Sequence, residues 1–278
     1  MLTRFAPSPS GPLHLGHAYS AVQAAMLGGT MALRIDDIDG TRSRADYVDA
    51  AIADLAWLRL EWMPPLWRQS AHLAAYAAAL ERLVAMDLAY PCFCTRADIA
   101  ASVAAPHGPS GVVYPGTCRA LSGQQRAGQM RTKAFAWRLD MARAAAAAGP
   151  LHAINNGAAT AFDPLPHGDV VIARKDAPAS YHLASTIDDA AMGIGLVVRG
   201  ADLLEATAVH LLLQRLLGLP TPEYHHHALV CGPDGRRLAK RDRPATLAAL
   251  RAAGVNGAEL AARLRVQQLP AGYSLALG

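Results

Sequence analysis

The feature that most constrains the fold is a proline- and glycine-rich turn near the N-terminus. The turn runs from Pro7 to Pro12, and proline and glycine at this density exclude a regular helix or a central strand. A short strand is predicted before it, over residues 3–6, and a helix after it, over about residues 15–27. A strand over 31–35 and a helix over 47–59 follow. Strand, helix, strand, helix at these lengths predicts the start of a doubly wound α/β sheet.

The rest of the chain continues this pattern around one irregular segment. Residues 90–119 hold cysteine, proline and glycine with little periodicity, and therefore look like an inserted module. The other predicted elements are a helix over 71–86, strand-like runs over 134–139, 169–174 and 194–198, a helix over 202–217, a strand over 224–231, a basic loop over 232–244, and short helices over 245–253 and 258–267.

Composition excludes several classes of protein. With 278 residues, 52% of them hydrophobic, the chain can bury a sizeable core and is expected to be globular. The net charge of +4 favours a polyanionic partner only slightly. A secretory leader and an apolar run of the ~20 residues that span a bilayer are both missing. We therefore expect a cytoplasmic protein without a membrane partner.

Two histidines follow the turn at the start of the first predicted helix. His14 and His17 are placed where free backbone N–H groups and the helix dipole collect anions. The pattern is typical of a phosphate site, but taken alone it fits a capped turn with surface histidines equally well.

A second cluster of cations lies near the other end of the chain. The run Arg236-Arg237-Leu238-Ala239-Lys240-Arg241 follows the turn Gly232-Pro233-Asp234-Gly235. Such a loop can close over a triphosphate and neutralise the charge that develops during adenylyl transfer. Taken alone, a solvated basic loop is the better interpretation. The combination with His14 and His17 favours nucleotide chemistry.

Three of the four cysteines lie in the irregular segment. Cys92 and Cys94 are too close for an easy mutual disulfide, and with Cys118 they form a cluster typical of metal ligation in a reducing compartment. Cys231 is more simply a small core residue. The run His225-His226-His227 is expected to be structural, because consecutive strand residues alternate between the two faces.

These motifs together resemble the glutamyl branch of the class I aminoacyl-tRNA synthetases. His14-Leu15-Gly16-His17 is similar to the first signature of the class, and Arg237-Leu238-Ala239-Lys240-Arg241 to the second. The glutamyl branch is indicated by three further stretches in the family's order, namely Arg4-Phe5-Ala6-Pro7-Ser8-Pro9-Ser10-Gly11, Arg34-Ile35-Asp36-Asp37-Ile38-Asp39 and Val198-Arg199-Gly200-Ala201-Asp202-Leu203. The resemblance covers roughly residues 4–245 and implies a Rossmann-like catalytic domain.

The resemblance also implies the site residues. The implied glutamate pocket consists of Arg4, Ala6, Ser8, Asp36, Tyr181 and Arg199, and the implied ATP site of His14, Gly16, His17, Arg237, Leu238 and Lys240. Among these, His14, His17 and Lys240 would stabilise developing negative charge, and Mg²⁺ would arrive with ATP. A guanidinium at position 199 can donate two parallel hydrogen bonds to the side-chain carboxylate, and an acidic residue at position 36 can hold the α-ammonium.

A structural zinc ion is implied in the inserted module. The ligands would be Cys92, Cys94, Tyr114 and Cys118. Tyrosine is an unusual zinc ligand, so His107 remains an alternative for the fourth position.

Three positions depart from the family pattern. Asp36 stands where glutamate is usual, which withdraws the carboxylate by one bond, roughly 1.5 Å. A misplacement of that size can cost about a hundredfold in rate, so either the backbone compensates or the activity is weak. Ala239 replaces a common serine, and Arg237 a common lysine.

Within the branch, the sequence is most similar to shortened paralogues of glutamyl-tRNA synthetase. Only 37 residues follow Arg241, which is too few for the anticodon-binding domain of the full-length enzymes. The layout is then the first half of the nucleotide-binding fold over 1–89, a zinc-binding insertion over 90–120, the second half over 121–243, and a short helical segment over 244–278.

For these paralogues, the resemblance implies activation of glutamate with ATP without RNA. The glutamyl group is then transferred to queuosine in the anticodon loop of tRNA(Asp), with no obligate protein partner. One alternative is a compact glutamyl-tRNA synthetase that charges a tRNA 3′ end. Another is an inactive paralogue that binds RNA or a protein.

Overall fold

The first half of the fold is a three-stranded parallel sheet. The computed structural model describes residues 1–100, 107–108, 111–238 and 245–277. The strands are β1 (Leu2–Phe5), β2 (Thr30–Ile35) and β3 (Met63–Arg68), in the order β1-β2-β3. Helix α1 (Leu15–Gly28) connects β1 to β2, and helix α2 (Ala45–Trp57) connects β2 to β3. This is the predicted alternating pattern, with boundaries that differ by at most two residues.

The second half is a mixed sheet that lies beside the first. Its strands are β8 (Leu151–Asn155), β9 (Ala158–Phe162), β11 (Leu196–Gly200) and β12 (Glu223–His227), in the order β11-β12-β8-β9. Strands β11, β12 and β8 run parallel, and β8 and β9 form an antiparallel hairpin. The two halves meet where β11 lies along β1, since the Gly195 amide donates to the Leu2 carbonyl at 3.0 Å. The carboxyl ends of β1, β2 and β11 therefore reach one edge, where ligands bind in open α/β sheets.

The remaining elements cover these sheets or form the inserted region. Strands β4 (Ala89–Cys92), β7 (Ala136–Leu139) and β10 (Val171–Ala173) make an antiparallel sheet in the order β10-β7-β4. The other elements are α3 (Leu73–Ala85), α4 (Arg96–Ala100), β5 (His107–Gly108), β6 (Gly111–Val112), α5 (Gly123–Met130), α6 (Met141–Ala148), α7 (Tyr181–Ala191), α8 (Ala206–Leu217), β13 (Leu229–Cys231), α9 (Leu247–Ala252), α10 (Gly257–Arg265) and β14 (Ser274–Ala276). No helix of the described residues is long and apolar enough to cross a membrane.

Two large apolar clusters hold the halves together. The first contains Leu15, Leu33 and Leu55, and α10 closes it with Leu264. The second packs α3, α7 and α8 against the other sheet. A third, small cluster contains Tyr90, Cys92, Tyr114 and Cys118. The described part of the irregular segment therefore has only a small apolar core.

The prediction of a single strand over 224–231 is wrong. The chain leaves the central sheet after β12, and β13 pairs instead with β14. Helix α7, which begins at Tyr181, was not predicted from the sequence. Ser180 caps this helix by accepting a hydrogen bond from the Leu183 amide at 3.5 Å.

Candidate active site

The two histidines of the N-terminal turn cap helix α1 together. The Gly16 amide donates to Nδ1 of His14 at 3.1 Å, and the His14 amide donates to Nδ1 of His17 at 3.1 Å. These bonds satisfy two of the backbone N–H groups that a helix start leaves without partners. Gly16 favours this arrangement, because a Cβ would lie only 3.1 Å from the His14 ring.

This capping fixes the protonation pattern of both imidazoles. Each Nδ1 accepts a hydrogen bond, so in the neutral ring the proton is carried by Nε2. The ring centroids are 3.8 Å apart. Two Nε2–H donors are thus held near a helix N-terminus, an arrangement suited to an anionic phosphate.

The described ends of the basic loop are fixed close to this turn. On one side the Leu238 amide donates to the Val230 carbonyl at 3.0 Å. On the other side Thr246 pairs with His14 in an antiparallel bridge. Arg237 makes an ion pair with Asp202 at 2.7 Å. Lys240 itself, with Ala239 and Arg241, lies outside the described residues.

A cavity of about 880 Å³ opens at the carboxyl ends of the strands. Four of the six predicted glutamate-binding residues line it, namely Ala6, Ser8, Asp36 and Tyr181. Arg4 and Arg199 are buried, with 5% and 4% of their surfaces exposed, and are not among the lining residues. The Arg199 guanidinium lies behind Tyr181 and donates to its hydroxyl at 3.3 Å.

Among the described residues, the hydrogen-bond partners of Arg199 are all neutral groups. Besides Tyr181, it donates to the Thr207 hydroxyl at 2.8 Å and to Nε2 of His226 at 3.2 Å, and it lies 3.3 Å from Nδ1 of His210. No described acidic residue forms an ion pair with it. A buried cation without a counter-ion carries a large desolvation cost, which an anionic ligand would offset.

The histidines around Arg199 are held neutral. Burial, and then the field of Arg199, lowers the pKa of His226 to about 3. The same two causes lower the pKa of His210 well below its ordinary value. For His182, burial is the main cause of a lowered pKa of about 4. The positive charge in this part of the pocket therefore stays on Arg199 at neutral pH.

Arg4 and Arg34, by contrast, belong to a buried network rich in carboxylates. Arg4 Nε and Arg34 Nη1 both donate to Asp189, at 2.9 and 2.6 Å. Arg34 Nε also donates to Asp36 at 2.6 Å. Burial of Asp189 acts to raise the pKa of its carboxyl, but the two arginines outweigh this effect and lower the pKa. Burial raises the pKa of Asp36, and the attraction of Arg34 opposes that rise.

Sequence reasoning missed the members of this network other than Arg4 and Asp36. Asp188 accepts hydrogen bonds from the Tyr76 hydroxyl at 2.7 Å and from the Gln69 amide at 2.8 Å. The signal in the sequence is weak, being only two adjacent aspartates in an otherwise apolar helix. Arg34 holds the Asp36 carboxylate in place, a role that the motif around Asp36 does not indicate.

The three clustered cysteines of the inserted region converge. Their sulfurs all lie within 4.8 Å of one another. Cys94 Sγ is 3.6 Å from both Cys118 Sγ and the Tyr114 hydroxyl oxygen. Two sulfurs bound to one tetrahedral zinc ion at about 2.3 Å would be about 3.8 Å apart, so the observed spacing fits a zinc ion with little movement.

Tyr114 is well placed as the fourth ligand. Its hydroxyl oxygen already accepts a hydrogen bond from the Cys118 amide at 2.7 Å. Burial is the main cause of a pKa of about 11 for Cys94, so ligation there would release a proton. The alternative ligand, His107, has a backbone that pairs with Val112, but its side chain lies outside what the structure describes.

Known proteins agree with this architecture. The profile of the catalytic domain of class I tRNA synthetases (E and Q) matches residues 1–267. The glutamyl-Q tRNA(Asp) synthetase of Rhodobacter capsulatus is 45% identical over 94% of this chain and 98% of that protein. The protein of the same name from Symbiobacterium thermophilum is 42% identical, over 91% of this chain and 82% of its own length.

Solved structures show the same catalytic fold. A glutamate tRNA ligase of Elizabethkingia meningosepticum, solved in complex with its amino acid, matches 87% of this chain with a TM-score of 0.68 and 28% identity. This chain spans about half of that protein, 52% of its length. The methionyl-tRNA synthetase of Mycobacterium tuberculosis matches with a TM-score of 0.57 at 10% identity, which supports the fold alone.

The profile matches nearly the whole chain, and the two named relatives are 45% and 42% identical over most of their own length. These matches confirm the resemblance. The chain belongs to the class I tRNA synthetases of the glutamyl and glutaminyl branch, and within them to the family of glutamyl-Q tRNA(Asp) synthetases.

Proposed function

We propose that the chain activates glutamate with ATP and transfers the glutamyl group to queuosine in the anticodon loop of tRNA(Asp). The observation that best supports a glutamate substrate is Arg199, a buried guanidinium with only neutral described partners behind the wall of the cavity. An amino acid with a carboxylate side chain would supply the missing negative charge.

The first step would form an acyl-adenylate. An oxygen of the glutamate α-carboxylate attacks the α-phosphorus of ATP, and the bond from that phosphorus to the bridging oxygen of the β-phosphate breaks. Pyrophosphate leaves with the bonding electrons. In this scheme His14, Gly16, His17, Arg237, Leu238 and Lys240 bind ATP, whose phosphates carry Mg²⁺.

The chain's own contribution to this step is positioning and electrostatic stabilisation. The Nε2–H groups of His14 and His17 would donate to phosphate oxygens, and Lys240 would approach from the basic loop, after which Thr246 pairs with His14. Arg4, Ala6, Ser8, Asp36, Tyr181 and Arg199 would hold glutamate, with Asp36 accepting from the α-ammonium. Asp36 can do so while bound to Arg34, since a carboxylate offers about four acceptor positions.

In the second step a hydroxyl of the acceptor attacks the glutamyl carbonyl carbon. AMP leaves with the electrons of the acyl–oxygen bond, and the hydroxyl proton is released. The relatives named glutamyl-Q tRNA(Asp) synthetase support the queuosine of tRNA(Asp) as the acceptor. We place the reaction in the cytoplasm, where transfer RNA is found.

A structural zinc ion would stabilise the insertion over residues 90–120, with Cys92, Cys94, Tyr114 and Cys118 as ligands. The short sulfur distances support this assignment. Cys92→Ser should reduce bound zinc from about one ion per chain, whereas Cys231→Ser, a buried free thiol elsewhere, should not. Elemental analysis that finds equal zinc in both variants would contradict the site.

The acceptor is tested with tRNA(Asp) that carries queuosine and an unmodified transcript of the same sequence. Labelled glutamate should attach only to the modified RNA and stay with the anticodon stem-loop after nuclease cleavage. Equal charging of the transcript, or label that leaves with the 3′-terminal adenosine, would favour a compact glutamyl-tRNA synthetase instead.

Pyrophosphate exchange with glutamate should proceed without RNA. Lys240→Ala should reduce it sharply, and Lys133→Ala, an exposed lysine bonded to Gln129, should not.

A further inference from the structure

The cavity is larger than its proposed amino acid requires. Glutamate has ten heavy atoms; even if each took up as much space as a water molecule in the liquid, about 30 Å³, the amino acid would fill at most roughly 300 Å³, while the cavity has a volume of about 880 Å³. The remaining space extends away from Asp36 and Tyr181 towards the cysteine cluster, since Cys94, Thr95 and Arg138 also line it. More than half of the cavity is therefore available to a second ligand.

Four cations line this cavity, and they fall into two pairs. Arg42 and Arg174 are neutralised by Asp39, at 2.6 and 3.4 Å, and Arg174 also by Asp176 at 2.6 Å. Arg138 and Lys175 make no ion pair with an acidic residue in the described parts of the chain. Because their charge is not neutralised, these two cations are the ones available to an anionic ligand.

Arg138 is held firmly between the inserted region and the cavity. Its guanidinium carbon lies 3.9 Å from the centre of the Tyr114 ring, as in a cation–π contact. Its Nη1 donates to the Asp169 carbonyl oxygen at 2.6 Å. The Asp169 carboxylate is already engaged by Arg119, Tyr90 and the Met141 amide. The Nη2 group of Arg138 donates to no described residue.

We propose that this second part of the cavity binds the single-stranded acceptor nucleotide of the RNA, and that Arg138 and Lys175 bind its oxygens. The proposal rests on the proposed function and adds a subsite to it. Lys175 is exposed and carries the charge suited to a backbone phosphate at the cavity mouth. Arg138 is half-buried and fixed on Tyr114, so it acts as a specificity-determining residue deeper in the cavity.

The chemistry of RNA recognition supports this assignment. Sequence-specific recognition of RNA usually targets nucleotides of single-stranded loops, whose unstacked bases can enter a pocket. Phosphate contacts by lysine and arginine supply affinity that falls as salt rises. Since the cavity also contains Asp36 and Tyr181, a nucleotide bound beside Arg138 would lie next to the activated glutamate.

The inserted region would then contribute to RNA binding through Tyr114. The phenol that is proposed to ligate zinc also packs against the Arg138 guanidinium. Zinc would therefore fix the position of a nucleotide-binding residue as well as the segment itself. This gives a reason for a structural metal site so close to the active site.

The test measures RNA binding, which does not require catalysis. The probe is the anticodon stem-loop of tRNA(Asp) with queuosine, and anisotropy is recorded over a range of salt concentrations. Arg138→Ala and Lys175→Ala should each weaken binding about fivefold or more, since one such contact contributes roughly 1–3 kcal/mol. Lys175→Ala should also lower the slope of log affinity against log salt by about 1. Arg143→Ala, which removes an exposed arginine paired with Asp87, should stay within twofold of the unsubstituted protein.

Zinc content and kinetics separate this role from a structural one. In the transfer reaction, Arg138→Ala should raise KM for tRNA much more than KM for glutamate, with zinc retained, and Arg138→Lys should recover part of the RNA affinity. RNA affinities within twofold of the parent for both Arg138→Ala and Lys175→Ala would overturn the proposal. A loss of RNA affinity confined to Arg138→Ala and accompanied by loss of zinc would overturn it as well. Failure of pyrophosphate exchange in the parent protein would contradict the proposed function instead, and the RNA-binding result would stand separately.

Discussion

Two groups of buried arginines near the cavity differ in their counter-ions. Arg4 and Arg34 face Asp36 and Asp189 at distances between 2.6 and 2.9 Å. Arg199 is equally buried, yet its described partners are a threonine, a tyrosine and two histidines. The first group is internally neutralised, so its charge is balanced without a ligand. The second has an excess of positive charge, as expected for a site whose counter-ion arrives with the substrate.

The largest effect that tests this comparison is on stability. Arg34→Met should lower the free energy of unfolding by about 3–5 kcal/mol, because Asp36 and Asp189 then lose a buried partner. Arg199→Met, the matched control, removes a buried charge and leaves no carboxylate without a partner, so its cost should be about 1 kcal/mol or less. Urea unfolding of both variants measures the difference. Equal losses would remove the distinction between the two groups.

For glutamate binding we expect the opposite order of the two variants, with Arg199→Met more affected than Arg34→Met. At a hundredfold excess over its Kd, glutamate should add about 2.7 kcal/mol to the stability of the unsubstituted protein. Arg199→Met should lose most of this gain, because the ligand carboxylate would find no cation. Thermal unfolding with and without glutamate measures it. If Arg199→Met keeps the full gain, the excess charge at Arg199 has no role in glutamate binding.

A third expected effect concerns pH. The pKa values of His226 and His210 are lowered in the folded protein, that of His226 to about 3, whereas the unfolded chain takes up these protons near pH 6.5. The stability that depends on these neutral imidazoles is therefore fully present above pH 6.5. It should fall as the pH drops towards 4, by up to about 1.4 kcal/mol per pH unit for each histidine.

This pH dependence should also report on Arg199. Because the field of Arg199 is the second cause of both shifts, Arg199→Met should make the slope shallower without abolishing the effect of burial. The free energy of unfolding at pH 7 and pH 5 measures it for both proteins. A flat profile in the unsubstituted protein would mean that these histidines are not held neutral.

The sequence was sufficient where a local pattern determines structure. Proline and glycine around residues 7–12 define the first turn, and the histidine spacing places His14 and His17 at a helix start, as observed. The cysteine spacing likewise predicted the convergence of Cys92, Cys94 and Cys118. Helix α7 was missed because its few apolar residues alternate with alanine, serine and threonine, which gives no clear helical period.

The contacts between distant residues could not be predicted. Arg34 and Asp189 are 155 positions apart, and nothing in either local sequence identifies the other as its partner. The lack of an acidic partner for Arg199 is also a property of the folded chain alone. The architecture of the site could therefore be predicted from motifs, while the distribution of its charge required the structure.

In the proposed reaction, the excess charge at Arg199 selects an anionic amino acid. The most direct measurement is ATP–pyrophosphate exchange without RNA, with glutamate and with glutamine, which has nearly the same shape but no charge. We predict that glutamate exceeds glutamine in kcat/KM by at least about a hundredfold, since a site built for one polar group strongly rejects an analogue that lacks it. Arg199→Met should remove most of that ratio. Equal exchange with both amino acids, or an unchanged ratio in Arg199→Met, would contradict the account.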